Sequence, residues 1–140
     1  SGIDGSISTA IGAAFANKKQ TICITGDLSF FYDSNALWNQ NISKTFRIII
    51  INNSGGGIFK IIPGPSTTNA AKYFETSHSL TAENLCKMYG FEYQKAFSTA
   101  TVEKELESFY KPSEQPKILE IFTPSEENDK VLKEYFKYIQ

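Results

Sequence analysis

The stretch "FRIIIINN", Phe46–Asn53, decides the fold. Four successive isoleucines leave no polar residue to face solvent, which is the pattern of a central strand covered on both sides in a parallel sheet. The run stops at two asparagines and then "SGGG", Ser54–Gly57, so a buried strand opens directly onto a flexible loop. Upstream, "QTICITG", Gln20–Gly26, is a short β-rich run that ends in a comparable way, in Gly-Asp-x-Ser over Gly26–Ser29.

Working outward, helical and strand patterns alternate. "SISTAIGAAFAN", Ser6–Asn17, carries small and apolar residues at helical spacing with Ser or Asp available to cap its start, and its alanines and Gly12 permit close packing on a sheet. "DSNALWNQN", Asp33–Asn41, returns to helical character with Asp or Ser as cap. "TAENLCKMYG" predicts a helix with Thr81 as N-cap and Gly90 as its stop, followed by a short strand near Tyr93 to Phe97. "TATVEKELESFYK" is helical and "KILEIFT" is a last buried strand. "SEENDKVLKEYFKYIQ" is an amphipathic terminal helix with acids at its start. Between Ser54 and Ser79 glycines and prolines break all periodicity, giving a long irregular segment of the kind used for binding. The class is therefore α/β, a three-layer αβα arrangement around a mainly parallel sheet.

At 140 residues, 41% hydrophobic and 21% charged, the chain reads as one domain over residues 1–140. No tract of about 20 apolar residues is present to span a bilayer, so no membrane is expected. A net charge of −1 with scattered lysines gives no footprint for nucleic acid. Cys23 and Cys86 lack metal spacing and read as reduced, buried thiols of a cytoplasmic protein. The start, Ser1-Gly2-Ile3-Asp4-Gly5, has neither an initiator Met nor a signal peptide and reads as part of a longer chain.

Ligands of open α/β sheets sit beyond the carboxyl ends of the strands. If the strands ending at Gly26 and Ile51 are neighbours, Asp27 and Asn53 emerge side by side, each with an oxygen suited to a hard cation. Mg²⁺ takes one or two protein carboxylates and completes its octahedron with other oxygens, including water and phosphate. The glycines allow main chain to approach such a ligand, and the Leu28 and Ser29 amides could receive phosphate oxygens. Taken singly, Asp27 reads equally well as a helix cap or turn former, and Gly55–Gly57 as an ordinary loop.

Taken together, "GDLS" and "NNSGG", with Asp27 and Asn53 26 positions apart, resemble the cofactor and metal motif of the thiamine-diphosphate enzymes, written Gly-Asp-Gly and, some way on, Asn-Asn. Leu28 stands where most members have glycine. With "SGIDGSISTA" and "GGGIFKIIP", that departure resembles the menaquinone-pathway branch, in which 2-oxoglutarate is decarboxylated and its succinyl carbanion is added to isochorismate.

The resemblance covers nearly the whole chain as the C-terminal, diphosphate-binding domain. It implies Mg²⁺ or Mn²⁺ held by Asp27, the Asn53 side chain and the main-chain oxygen of Gly55. Thiamine diphosphate would lie against Ser1, Gly2, Ile3, Gly26, Leu28, Ser29, Gly56 and Ile58, with Ile3 as the apolar prop of its bent conformation. Ile58, Phe59 and Ile62 would shape the substrate pocket, although core packing also accounts for Ile62. A homo-oligomer is implied, in which the N-terminal pyrimidine-binding domain of a partner subunit supplies the activating glutamate. The 140 residues alone would then be inactive. His78, in the irregular segment, reads as a loop residue.

Rival readings fit less of the sequence. A nicotinamide dehydrogenase needs Gly-x-Gly-x-x-Gly opening a helix, and a P-loop needs Gly-Lys-Ser/Thr; neither is present. A receiver module would need an acidic pair after its first strand and a Lys after its last, and a pure interaction domain leaves the two motifs unexplained. Another 2-oxo acid decarboxylase or an acetolactate-synthase-like enzyme shares the metal motif but normally shows Gly-Asp-Gly.

Overall fold

A computed structural model describes residues 2–17, 19–62, 64, 67–69 and 71–139, with the side chains of residues 71 and 72 left aside. They form two compact units, Ser1–Asn52 with Thr81–Phe122, and Asn53–Leu80 with Thr123–Gln140.

The first unit holds the sheet. Strands β1 (Thr21–Gly26), β2 (Phe46–Asn52), β3 (Glu92–Ala96) and β4 (Lys117–Phe122) run in the order β1-β2-β4-β3. Every pairing is parallel, so all carboxyl ends lie on one side. The isoleucine run is β2, an inner strand as its unbroken hydrophobicity requires.

Alternation along the strands divides the core into two faces. On one, Phe46, Ile48, Ile50 and Ile118 pack with Ile7, Ile11 and Ala14 of helix α1 (Ser6–Ala16), Phe30 of α2 (Asp27–Tyr32) and Cys86 of α4 (Glu83–Tyr89). On the other, Ile49, Leu119 and Ala96 pack with Phe109 of α5 (Thr99–Phe109). Helices thus cover both faces, the expected three-layer α/β arrangement. Towards β1 the second face opens: Ile22 is 43% and Ile24 70% exposed.

Several local expectations are corrected. "DLSFFY" is helix α2, starting at Asp27 itself, so Gly26 and not Asp27 is its N-cap. The helical pattern after Asp33 is a 3-10 turn, Ser34–Trp38, and Asp33 turns away from it to bond α1 instead. Gly5 stands at the N-cap of α1, so the acceptor for its first turn comes from that distant carboxylate. Ala82, not Thr81, is the N-cap of α4, whereas Gly90 ends that helix in the left-handed conformation at φ 75°, as anticipated. Helix α5 begins with a reciprocal capping box between Ser98 and Thr101. Its last carbonyls receive buried cations: Arg47 Nε donates to Phe109 O at 2.7 Å and Lys117 Nζ to Ser108 O at 3.0 Å.

The second unit contains a 3-10 turn over Gly57–Lys60, the short helix α3 (Ala71–Phe74) and the amphipathic helix α6 (Asn128–Tyr138). Lys60 ties it together, pairing with Glu75 at 2.6 Å and donating to Ser125 O at 3.0 Å, while Lys133 Nζ donates to Lys60 O at 3.1 Å. None of the described helices is long and apolar enough to cross a membrane.

Candidate functional site

Parallel pairing sets Gly26 beside Ile51, so Asp27 leaves β1 level with Asn52, the last residue of β2. Asp27 is 2% exposed, and its Oδ1 accepts the Leu28 amide at 2.7 Å. The Asp27 carboxylate thus has one oxygen engaged at the first turn of α2. The Leu28 amide, anticipated as a phosphate donor, is engaged with Asp27.

Ser29 lies on the next step of α2. Its hydroxyl donates to Ile3 O at 2.5 Å and lies 3.1 Å from Ser6 Oγ. Two sequence-predicted cofactor residues, Ile3 and Ser29, are thereby brought together next to Asp27 and Leu28. Ile3 is 44% exposed, so its side chain is available to a ligand. Four residues on, Asp33 accepts the Ser8 amide and hydroxyl, which fastens the start of α1 to the end of α2. Ser1 lies outside the described residues.

In the second unit, Asn53 begins a tight turn through the glycines. Gly55 is buried at φ 151°, and a Cβ there would stand 2.7 Å from Glu75 O. A Cβ on Gly57 would stand 2.5 Å from Asn53 Nδ2. Main chain of Glu75 leaves no room for a side chain at Gly55, whereas at Gly57 the nearest atom is the end of the Asn53 side chain. Gly56 N donates to Glu75 O at 2.6 Å and Gly57 N to Gly55 O at 3.0 Å. Phe59 stacks at a tilt on Phe74, ring centroids 5.4 Å apart, while Ile58 and Ile62 stay exposed. His78 N donates to Ser54 O at 3.1 Å, closing the segment's base.

Among the described residues no three His, Cys, Asp or Glu side chains gather as a metal centre. Asn53 and Gly55 carry oxygen donors of the amide and carbonyl types. Those types suit Mg²⁺ or Mn²⁺.

One group was missed by sequence reasoning. Glu120, the single acid inside the apolar strand "KILEIF", is fully buried and accepts from Asn52 Nδ2 at 2.7 Å, Ala82 N at 3.0 Å and Tyr93 Oη at 2.6 Å. Burial and the bond to Glu120 push the Tyr93 phenol up, which keeps it a donor. The signal was the carboxylate itself, unexpected in a strand covered on both faces.

Residues 3–121 match the family model described as thiamine pyrophosphate enzyme, C-terminal TPP binding domain. The chain is 55% identical over 141 residues to a 2-succinyl-5-enolpyruvyl-6-hydroxy-3-cyclohexene-1-carboxylate synthase of Christiangramia forsetii, covering 100% of this chain and 24% of that protein. Proteins of the same name from Flavobacterium johnsoniae and Porphyromonas gingivalis are 57% and 43% identical over 98% and 99% of this chain, and 25% and 24% of their own lengths. The chain thus spans about a quarter of the length of these relatives. With a parallel sheet whose strand ends carry Gly-Asp-x-Ser and Asn-Asn, and a family model matched over most of its length, the chain belongs to the thiamine pyrophosphate enzymes, in their C-terminal TPP-binding domain.

Proposed function

We propose that the chain is the diphosphate- and metal-binding domain of a synthase that decarboxylates 2-oxoglutarate and joins the remaining succinyl unit to isochorismate. The observation that carries the reading is the β1–β2 register, which levels Asp27 with the end of the strand leading into Asn53 and the glycine turn. The relatives' shared name supports the choice of reaction.

Asp27, the Asn53 side-chain oxygen and Gly55 O would hold Mg²⁺ or Mn²⁺, which would offset the charge of the diphosphate. Ser29 and Gly56 would border the diphosphate, and Ile3 would support the cofactor with its apolar side chain. Bound thiamine diphosphate supplies the electron sink for loss of CO₂ from a 2-oxo acid. Ile58, Phe59 and Ile62 line the substrate side and exclude water from the reacting carbon. The activating glutamate comes from the pyrimidine-binding domain of a partner subunit in a cytoplasmic homo-oligomer, so the 140 residues are inactive alone.

Calorimetric titration of thiamine diphosphate and Mg²⁺ into the full-length synthase tests the reading. Asp27→Ala is expected to abolish Mg²⁺-dependent binding; binding indifferent to both the metal and the substitution refutes the assignment. Consumption of 2-oxoglutarate only when isochorismate is present, with a succinyl adduct as product, is expected of the native enzyme. Transfer to a second 2-oxo acid instead would identify an acetolactate-synthase-like activity.

A further inference from the structure

Between Asn52 and Ala82 the chain leaves the first unit, forms the Asn53–Leu80 segment with its glycine turn, and returns. The points of exit and return are bonded to the same carboxyl group. Glu120 Oε1 accepts from Asn52 Nδ2 at 2.7 Å, and Oε2 accepts from the Ala82 amide at 3.0 Å. Tyr93 Oη, 2.6 Å from Oε2, fixes the carboxyl from the β3 side.

We propose that Glu120 is a positioning residue that clamps both ends of the Asn53–Leu80 segment and, by holding Asn52, fixes where Asn53 presents its oxygen. The inference rests on the reading of Asn53 as a metal ligand. Three considerations carry it. First, all three partners are neutral donors, so a buried carboxyl is maintained by bonds whose geometry, not net charge, is matched. An apolar residue of similar volume would serve a core strand at least as well, because a buried charge costs desolvation that its partners only offset. Secondly, Asn52 and Ala82 are the first-unit residues at or beside the two ends of the excursion, and long loops lose order chiefly where their ends are free. Thirdly, oxygen ligands of Mg²⁺ must meet a near-octahedral geometry, so a small shift of the residue before Asn53 is felt at the metal. Groups that orient a ligand in this way typically change metal affinity by about 10- to 100-fold when replaced.

The test uses the full-length synthase with Glu120→Gln, which keeps the shape but sets an amide N–H against a donor. The readouts are the Mg²⁺ concentration for half-maximal cofactor binding and amide hydrogen exchange across Asn53–Leu80 in the cofactor-free protein. Glu120→Gln is expected to raise the Mg²⁺ midpoint about tenfold or more and to speed exchange in that segment. Leu119→Ala, a cavity on the opposite face of the same strand, is expected to lower the melting temperature without moving the Mg²⁺ midpoint. If Glu120→Gln does not fold, Asn52→Ala cuts the same link from the other side and is expected to raise the midpoint likewise. An unchanged midpoint in the folded variant, or an equal rise in Leu119→Ala, overturns the clamp. Asn53→Ala distinguishes the two levels: if it too leaves the midpoint unchanged, the ligand reading has failed and the clamp with it, whereas loss of metal dependence in Asn53→Ala alone condemns only the clamp.

Discussion

Asp33, at the end of α2, accepts two hydrogen bonds from Ser8 in the first turn of α1, at 2.7 Å from its amide and 2.6 Å from its hydroxyl. The Ser8 amide occupies the position that an N-cap side chain normally satisfies from one turn away. Here Gly5 precedes the helix and the acceptor arrives from 25 residues downstream. The bond therefore joins two helices as well as capping one, and it stands four residues from Ser29, whose hydroxyl holds Ile3.

Replacing Asp33 by Ala is expected to cost about 1–2 kcal/mol, the scale of a lost cap with a charged acceptor. Asp33→Asn, which keeps an acceptor for the amide, is expected to recover most of that loss. Denaturant midpoints of the three proteins at constant m-value check it. Equal midpoints for wild type and Asp33→Ala would show that water satisfies Ser8 as well as Asp33 does.

At the strand ends, Asp27→Asn separates charge from shape. The amide oxygen still accepts from Leu28, so the melting temperature without cofactor is expected to change little. What is expected to disappear is the rise in melting temperature produced by thiamine diphosphate with Mg²⁺, since a ligand stabilises only in proportion to its binding. A full ligand-induced rise in the variant would remove Asp27 from the metal site.

Legibility in the sequence followed the range of the interactions. Isoleucines at 48 to 51 need cover on both faces whatever surrounds them, so β2 and the α/β class could be read from one line. Gly90 was equally plain, because a left-handed helix stop is a local demand. Asp33 was misread because a capping carboxylate declares only its preference for orphan amides, and the amides it found belong to another helix. The extent of helix α2 was hidden because "DLSFFY" buries only Asp27 and Phe30, too short a stretch to show a period. Of the proposed site, Asp27, Ser29, Asn53 and the glycines were visible through their motif, while Glu120 was not. Its role depends on β4 lying beside β2 and on α4 returning to the same place, facts of topology that the residue type alone does not carry.

Acid should weaken the fold at Glu92. Burial pushes this carboxyl up, but bonds from Ser113 and Lys117 and the charges of Lys117 and Arg47 outweigh it and hold it below its ordinary 4.5. A carboxyl depressed in the folded state contributes stability above the unfolded value, and the contribution fades as pH falls through the folded one. The group is 42% exposed, so the effect is modest, about 1 kcal/mol or less. Glu92→Gln is expected to be less stable than wild type near neutrality and indistinguishable from it once the pH is well below 4.5. Unfolding curves across that range check it, and a gap between the two proteins that widens in acid would reverse the assigned sign.

Cys86 is fully buried in α4, four residues beyond the Ala82 amide that Glu120 holds. Burial, then the charge of Glu120, pushes its thiol up to about 12. At pH 8 only about one molecule in ten thousand would carry the reactive thiolate, and that molecule would still have to open the helix to meet a reagent. Cys23, half-buried and raised by burial and then by the charge of Asp33, is also slowed, but it needs less of the fold to move. Iodoacetamide at pH 8 is therefore expected to modify Cys23 slowly and Cys86 only when denaturant is added, as peptide mapping by mass spectrometry would show. Because Cys86 labelling reports opening of α4, Glu120→Gln should raise its rate while Asp33→Ala leaves it nearly unchanged. Rapid labelling of Cys86 in the native wild type would mean that α4 is not held at its start, and that the bond from Ala82 to Glu120 does not persist in solution.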